Sequence, residues 1–270
     1  MELGTGKTAV VTGGGSGIGA ALCKAFAAES LSVVVSDIDL SAAEGISNSI
    51  NDTGGNAIAV RTDVSDRSSI KELADAAFEA FGSVDVLCNN AGVVTFRSAS
   101  EMSDSDWDWV MSVNLQGVIN GLTQFLPRIL EQGNAAHIVN TSSSAGLFAP
   151  PGMASYVASK QAVVGLSEHL SVDLAAVNVG VSVLCPGGVA TKIVEAGRNR
   201  PDTHGGPEDV PDSAEPIRQG IAAGMPPSEV ADRVIDAVRN NHLYVVTHND
   251  TRPGVEARLE AIRACYALND

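Results

Sequence analysis

In "SYVASKQA", Ser155 to Ala162, a tyrosine stands four residues ahead of a lysine within a run of small helix-forming side chains. Residues at i and i+4 share one helix face, so Tyr156 and Lys160 can reach one bound molecule together. A phenol ordinarily titrates near 10, too high for a useful base at neutral pH. Lowering it by roughly 3 units takes about 4 kcal/mol, and a nearby ammonium in a partly desolvated site beside a cationic cofactor is the expected source. Such a tyrosine exchanges a proton with an alcohol or a carbonyl. Just upstream, "NTSSSAG" (140–146) closes a β-branched run and offers hydroxyls to a substrate oxygen.

A second chemical signal lies near the start. "KTAVVTGGGSGIGAALCKAF" passes from a strand through glycines into a helix, where free N–H groups can meet a pyrophosphate. The spacing is T-G-x-x-x-G-x-G on Thr12, Gly13, Gly17 and Gly19, not G-x-G-x-x-G, because Ile18 stands where the third glycine would fall. "GTGKT" at 4–8 imitates a triphosphate loop but precedes the strand instead of following it. Asp37 ends the next β-branched run, about 20 residues on, where a carboxylate accepts from an adenosine ribose and repels a 2′-phosphate. No Lys or Arg follows in "SDIDLSAAE", which favours NAD over NADP; the competing use of Asp37 is as a helix cap.

The elements that must hold these residues are legible as short apolar runs between helical stretches: "TAVVT", "LSVVVS", "NAIAVR", "VDVLCN", "AHIVNT", "VGVSVLC" and "HLYVVT". Runs that are apolar throughout suit parallel strands covered on both faces. Their alternation with helices predicts an α/β single domain with a doubly wound, mostly parallel, seven-stranded Rossmann-type sheet. Residues 195–227, rich in Pro, Gly and charge, are too long for an ordinary connection and are expected to form a mobile substrate lid or a disordered insertion. Val255, Leu259, Ile262 and Tyr266 have helical spacing and predict a packed C-terminal helix over 253–268.

The 270 residues carry a formal charge of -15, which disfavours nucleic acid and anionic membranes as partners. Four separated cysteines without a C-x-x-C pair, no signal-peptide pattern and no long apolar run predict a reduced, cytoplasmic protein. Five scattered histidines show no metal-ligand spacing, so no metal is expected. Trp107 and Trp109 read as packing residues.

Taken together, "TGGGSGIG", Asp63–Val64, "NNAG" at 89–92, Asn114 in "SVNLQG", the "SSSAG" serines, "YVASK" and "PGGVAT" at 186–191 resemble the short-chain dehydrogenase/reductase family from Lys7 to Thr247. The resemblance implies Tyr156 as general acid/base and Lys160 as its pKa partner and a ligand of the nicotinamide ribose. It implies Ser143 as the holder of the substrate oxygen, with Ser142 and Ser144 as alternatives, and Asn114 as a helix-bending residue that anchors a proton-relay water. NAD contacts are implied at Gly13, Ser16, Gly17, Ile18 and Gly19, at Asp37 and Ile38, at Asp63 and Val64, at Asn90, Ala91 and Gly92, and at Val189 and Thr191. The implied reaction moves a hydride between the alcohol carbon and the nicotinamide while Tyr156 exchanges the proton.

Apolar residues flanking these motifs, with Val94, Phe148, Met153 and Gly187 beside Ser143 and Tyr156, predict a hydrophobic secondary alcohol or ketone as substrate. An NADPH-dependent 3-oxoacyl reductase is disfavoured by Asp37 and by an acidic surface that would repel an acidic carrier. A non-catalytic NAD-binding regulator is disfavoured by the intact set Asn114, Ser143, Tyr156 and Lys160. Amphipathic stretches at 107–126 and 156–174 predict a homodimer or homotetramer, although the C-terminal segment departs from the family's usual tetramer-building end.

Overall fold

A computed structural model describes residues 1–266. Strands β1 (Thr8–Thr12), β2 (Ser32–Asp37), β3 (Asn56–Arg61), β4 (Val86–Asn89), β5 (Ala136–Thr141), β6 (Val179–Cys185) and β7 (Tyr244–Val246) form one sheet in the order β3-β2-β1-β4-β5-β6-β7. Every pairing is parallel. Each of the seven apolar runs is a strand, and the sheet is the doubly wound one that their character implied.

The strands are apolar throughout because both faces are covered. Ala9, Val11, Val33, Val35 and Cys88 pack with Leu22 and Phe26 of α1 (Gly17–Ala28), Ile50 of α2 (Leu40–Asn51) and Val230, Val234 and Val238 of the helix Pro227–Asn240. The alternate residues Val10, Val34 and Leu87 face Leu73 and Ala77 of α3 (Arg67–Phe81), Phe125 and Ile129 of the helix Gly117–Gln132, and Val163 of the helix Ala154–Asp173. Period-two alternation thus delivers side chains to two cores at once.

The remaining helices, in chain order, are α4 (Asp104–Met111), α5 (Gly117–Gln132), α6 (Ala154–Asp173), α7 (Glu215–Ala222), α8 (Pro227–Asn240) and α9 (Arg252–Tyr266). A Ser103–Asp106 capping box starts α4, each side chain accepting from the other residue's backbone N–H. The helix expected over 253–268 is α9; Ala267 and Leu268 lie outside the described residues. Its apolar residues do not pack as expected: Leu259, Ile262 and Tyr266 are exposed. Among the described residues, no helix is long and apolar enough to cross a membrane.

Residues 195–227 are occupied by turns and a helix rather than by an irregular excursion. They hold 3₁₀ turns within Ile193–Asn199, at Asp202–His204 and at Asp212–Ala214, followed by α7. Both ends are stapled together: Met225 N donates to Gly188 O and Ala190 N to Met225 O, each at 2.9 Å. A chain that leaves and re-enters at one point is a strap across the carboxyl ends of the strands.

Candidate active site

The order of the sheet reverses between β1 and β4, and ligands of such sheets bind in the crevice beyond the strand ends there. Thr12 closes this crevice. Its hydroxyl accepts from the backbone N–H of Asn90 (2.9 Å) and of Ala91 (3.2 Å), while the Asn90 amide donates to Thr12 O at 3.0 Å. The glycine turn lies directly on this joint. Gly13 adopts φ +66°, and a Cβ there would stand 2.9 Å from Ala91 Cα; a Cβ on Gly19 would stand 2.0 Å from Gly13 O. Ser16 occupies the N-cap position of α1 without using its side chain, so the backbone N–H groups at the start of α1 remain available to an anion. The turn is therefore a backbone cradle that side chains would fill, which fits a pyrophosphate.

Asp37 faces this cradle. Its Oδ2 accepts from Gly15 N at 2.9 Å and its Oδ1 from Asp39 N at 3.1 Å. The cap of α2 is Asp39, which accepts from Ala42 N, so Asp37 is not spent as a helix cap. Register adds a residue that the sequence reading passed over: Arg61 of β3 stands opposite Asp37. Ile38 is exposed just beyond. Asp63 accepts from the backbone N–H and hydroxyl of Ser65 at 2.9 and 2.6 Å, which sets the turn carrying Val64.

On the other side of the crevice, α6 presents Tyr156 and Lys160. Lys160 is buried, and its ammonium donates to Thr141 O at 2.9 Å, 5.6 Å from the centre of the Tyr156 ring. Between the two, the Ser159 hydroxyl donates to Tyr156 O and accepts from Asn114 Nδ2. Asn114 sits in a π-helical turn, Ser112–Gln116, between α4 and α5. Its Oδ1 accepts from Val93 N and its Nδ2 donates to Val93 O. The bulge interrupts the α-helical ladder at Asn114, the residue expected to bend its helix. A Cβ on Gly92 would meet Lys160 Nζ at 3.3 Å and Asn114 Oδ1 at 3.4 Å, so both groups converge on Gly92.

The serines separate by orientation. Ser142 donates to Lys160 O at 2.7 Å and braces α6 from beneath. Ser143 donates to Pro186 O at 3.5 Å, and its hydroxyl stands close enough to the Tyr156 phenol to act on its titration. Ser143 is therefore the serine beside the tyrosine, and Ser142 is turned into the fold.

The electrostatics differ from the expectation drawn from spacing. Burial raises the Tyr156 phenol above its ordinary value, and the Ser143 hydrogen bond only partly offsets this. Burial likewise pushes Lys160 down to about 8, while the Cys185 thiol beside it, itself pushed up to about 12 by burial, acts in the opposite sense. Lysine alone therefore does not make this phenol acidic; additional positive charge at the site has to supply the rest.

Thr191 and Val189 reach the crevice from the β6 end. Thr191 Cγ2 would lie 3.0 Å from a Cβ on Gly17, and Val189 bridges to Met225 at the neck of the strap. Of the expected substrate residues, Val94 is buried and Met153 half-buried. The Phe148 ring lies 3.0 Å from where a Cβ on Gly254 would be, so α9 backs this wall, and Arg258 donates to Leu147 O. Gly187 is covered by His248, whose Nδ1 accepts from Gly187 N at 3.2 Å. His248, Gly254 and Arg258 were not foreseen: they lie about 60 or more residues along the chain from the groups they touch, and no local spacing marks them. Among the described residues no cluster of His, Cys, Asp and Glu could hold a metal.

The short chain dehydrogenase family model matches residues 7–202. The chain is 32% identical to the CLA biosynthesis dehydrogenase/reductase of Lactiplantibacillus plantarum, over 95% of this chain and 93% of that protein. It is 35% identical to the 1-deoxy-11-beta-hydroxypentalenate dehydrogenase of Streptomyces exfoliatus, over 91% and 84%. Among solved structures, a short chain dehydrogenase/reductase from Burkholderia phymatum in complex with NAD superposes with a TM-score of 0.94 at 40% identity, covering 98% of this chain and 96% of that one.

Proposed function

Because the chain belongs to the short-chain dehydrogenase/reductase family, we propose that it interconverts a hydrophobic secondary alcohol and its ketone with NAD as cofactor. The observation that carries this reading is the convergence of Tyr156, Ser143, Lys160 and the glycine cradle on one crevice. NAD bound there supplies the two-electron exchange with the substrate carbon and, when oxidised, a positive charge.

The chain's own residues do the rest. The cradle at Gly13–Gly19 and the start of α1 take the pyrophosphate, Asp37 the adenosine ribose, and Asp63 with Val64 the adenine side. Asn90 to Gly92 with Val189 and Thr191 bound the nicotinamide end. Ser143 donates to the substrate oxygen, and Tyr156 takes the proton of the alcohol or returns it to the ketone. Lys160, fixed on Thr141 O, holds positive charge beneath the tyrosine, and Asn114 keeps the Val93 loop and α6 in register. Orientation and charge placement are the protein's share of the chemistry.

The apolar wall and the 35% identity to the 1-deoxy-11-beta-hydroxypentalenate dehydrogenase support a bulky hydrophobic substrate. The test is the appearance of reduced nicotinamide when the protein meets NAD with cyclohexanol, a hydroxysteroid and a terpenoid alcohol. Turnover of at least one is expected, and inactivity with all of them despite NAD binding would overturn the reading.

Arg61 opposite Asp37, together with 35% identity to a 3-oxoacyl-[acyl-carrier-protein] reductase of Thermotoga maritima over 70% of this chain, favours a second reading, an NADPH-dependent 3-oxoacyl reductase. The Asp37 carboxylate, hydrogen-bonded into the cradle itself, opposes it. Asp37→Asn keeps the shape and removes the charge, so it is expected to narrow the preference for NAD over NADP about tenfold or more. The measurement is the ratio of kcat/KM for the two cofactors; a parent enzyme that prefers NADP would reverse the assignment.

A further inference from the structure

Four charged residues near the crevice close into a ring. Arg97 Nη1 lies 2.6 Å from Asp106 Oδ1, the same oxygen lies 2.7 Å from Arg200 Nη1, and that nitrogen lies 3.0 Å from Glu208 Oε2. The ring is completed by Glu208 Oε1 on Arg97 Nη2. Two arginines and two carboxylates leave no net charge, which is the condition for burying such a group. Arg200 and Asp106 side chains are 7% and 3% exposed, whereas Arg97 and Glu208 are 32% and 36% exposed, so the ring has a buried edge and an open edge.

The buried edge is held further. Arg200 Nε donates to His204 O at 2.5 Å and Nη2 to Ser105 Oγ at 3.2 Å, and its guanidinium lies 5.4 Å from the centre of the Trp109 ring. Burial acts to raise the Asp106 carboxyl, but the Ser103 N–H and hydroxyl, Arg200 and Arg97 outweigh it and hold the carboxyl below its usual range. Glu208 N donates to Gly197 O, and Ala196 packs with Val93, Trp109 and Val110. Residues 193–208 are thereby bolted to α4 and to the Val93 loop.

The remainder of the strap differs. Residues 209–223 form hydrogen bonds only within themselves and with the adjoining Gly224 among the described residues; Ala214 is buried, but α7 after it has no buried residue, and its Glu215 bonds Arg218 and Gln219 of the same helix. Arg97, on the open edge of the ring, also accepts from Ala154 N at 3.3 Å through its carbonyl, at the first residue of α6 and two before Tyr156.

We infer that this ion ring is a clamp dividing the strap into a fixed part, 193–208, and a moving part, 209–223, and that Arg97 is a positioning residue coupling the fixed part to the start of the tyrosine-bearing helix. Substrate therefore meets a preset wall on one side and a yielding cover on the other. The inference rests on the proposed dehydrogenase reading only for its kinetic consequence; its structural half stands separately.

Hydrogen exchange on the full chain tests the division. Residues 209–223 are expected to exchange quickly and 193–208 slowly, and equal protection of the two parts would overturn the clamp. Glu208→Gln opens the ring. It is expected to expose 193–208 to exchange and to raise KM for cyclohexanol about tenfold, with KM for NAD and the pH profile of kcat unchanged. Lost protection with an unchanged KM for the alcohol would reduce the ring to a structural brace and overturn the positioning role. Arg97→Lys, which keeps the charge but gives up the fork that spans two carboxylates, is the second variant should Glu208→Gln fold poorly, with the same two readouts. If no alcohol is oxidised by the parent, the exchange contrast still decides the clamp, so the two proposals fail separately.

Discussion

Tyr156→Phe is expected to bind NAD as the parent does and to turn over alcohols about a hundred- to ten-thousandfold more slowly, the range that a positioned proton donor or acceptor contributes. The ring that fills the crevice is kept and only the hydroxyl is lost, so cofactor affinity and thermal stability report whether anything else changed. The pH dependence sharpens the expectation. The phenol must be deprotonated to accept a proton, and burial holds its titration above the ordinary value. Alcohol oxidation by the parent should therefore rise with pH until Lys160 begins to lose its charge at about 8, and the rise should be absent from the residual activity of Tyr156→Phe. A variant that keeps near-parent turnover, or the parent's alkaline rise, would remove the tyrosine from the chemistry.

Lys160→Met is expected to lose activity at least a hundredfold, through the missing charge beneath Tyr156, while the fold is not weakened. The reasoning is one of linkage. The Lys160 ammonium titrates at about 8 in the folded chain against an ordinary 10.5, so folding disfavours its charged form. The folded value is the depressed one: the penalty is full below about 8 and is relieved as pH rises toward 10.5, where the unfolded lysine also becomes neutral. At neutral pH that penalty is roughly 3 kcal/mol, offset by about 1–3 kcal/mol for the bond to Thr141 O. Denaturant unfolding across this window should show parent stability gaining on the variant as pH increases, and at neutral pH the variant should be at least as stable as the parent. A variant that is markedly less stable at neutral pH would mean that the lysine serves the fold rather than the reaction.

Much of this was legible in residue order because it is governed by short-range pattern. Unbroken apolar runs became strands because both faces of the sheet are covered, and the Thr12–Gly19 spacing became a cradle because the turn leaves no room for side chains. Tyr156 and Lys160 share a face for the reason that any i, i+4 pair does. What spacing could not give is what surrounds that face. Burial raises the phenol and depresses the ammonium, and the groups that meet Lys160 there, Thr141 O and the Cys185 thiol, lie outside α6. Residue order leaves a helix-cap use open to Asp37, and only the backbone geometry shows Asp39 taking that duty. Arg61 stands 24 residues beyond Asp37 and meets it through strand register. The ion ring draws on positions 97, 106, 200 and 208, and the backing of Phe148 by Gly254 spans more than a hundred residues; neither leaves a periodic trace.

The joined ends of the strap carry an implication for how specificity can change. With Gly188 and Ala190 already paired to Met225, the entropy of closing that loop depends only weakly on how many residues it contains, about 0.6 kcal/mol for each doubling of length. On the proposed function, stretches of different size and chemistry can therefore be exchanged between Pro211 and Gly224 as a removable cassette, reshaping the cover over the substrate while the glycine cradle, Tyr156 and Lys160 are left untouched.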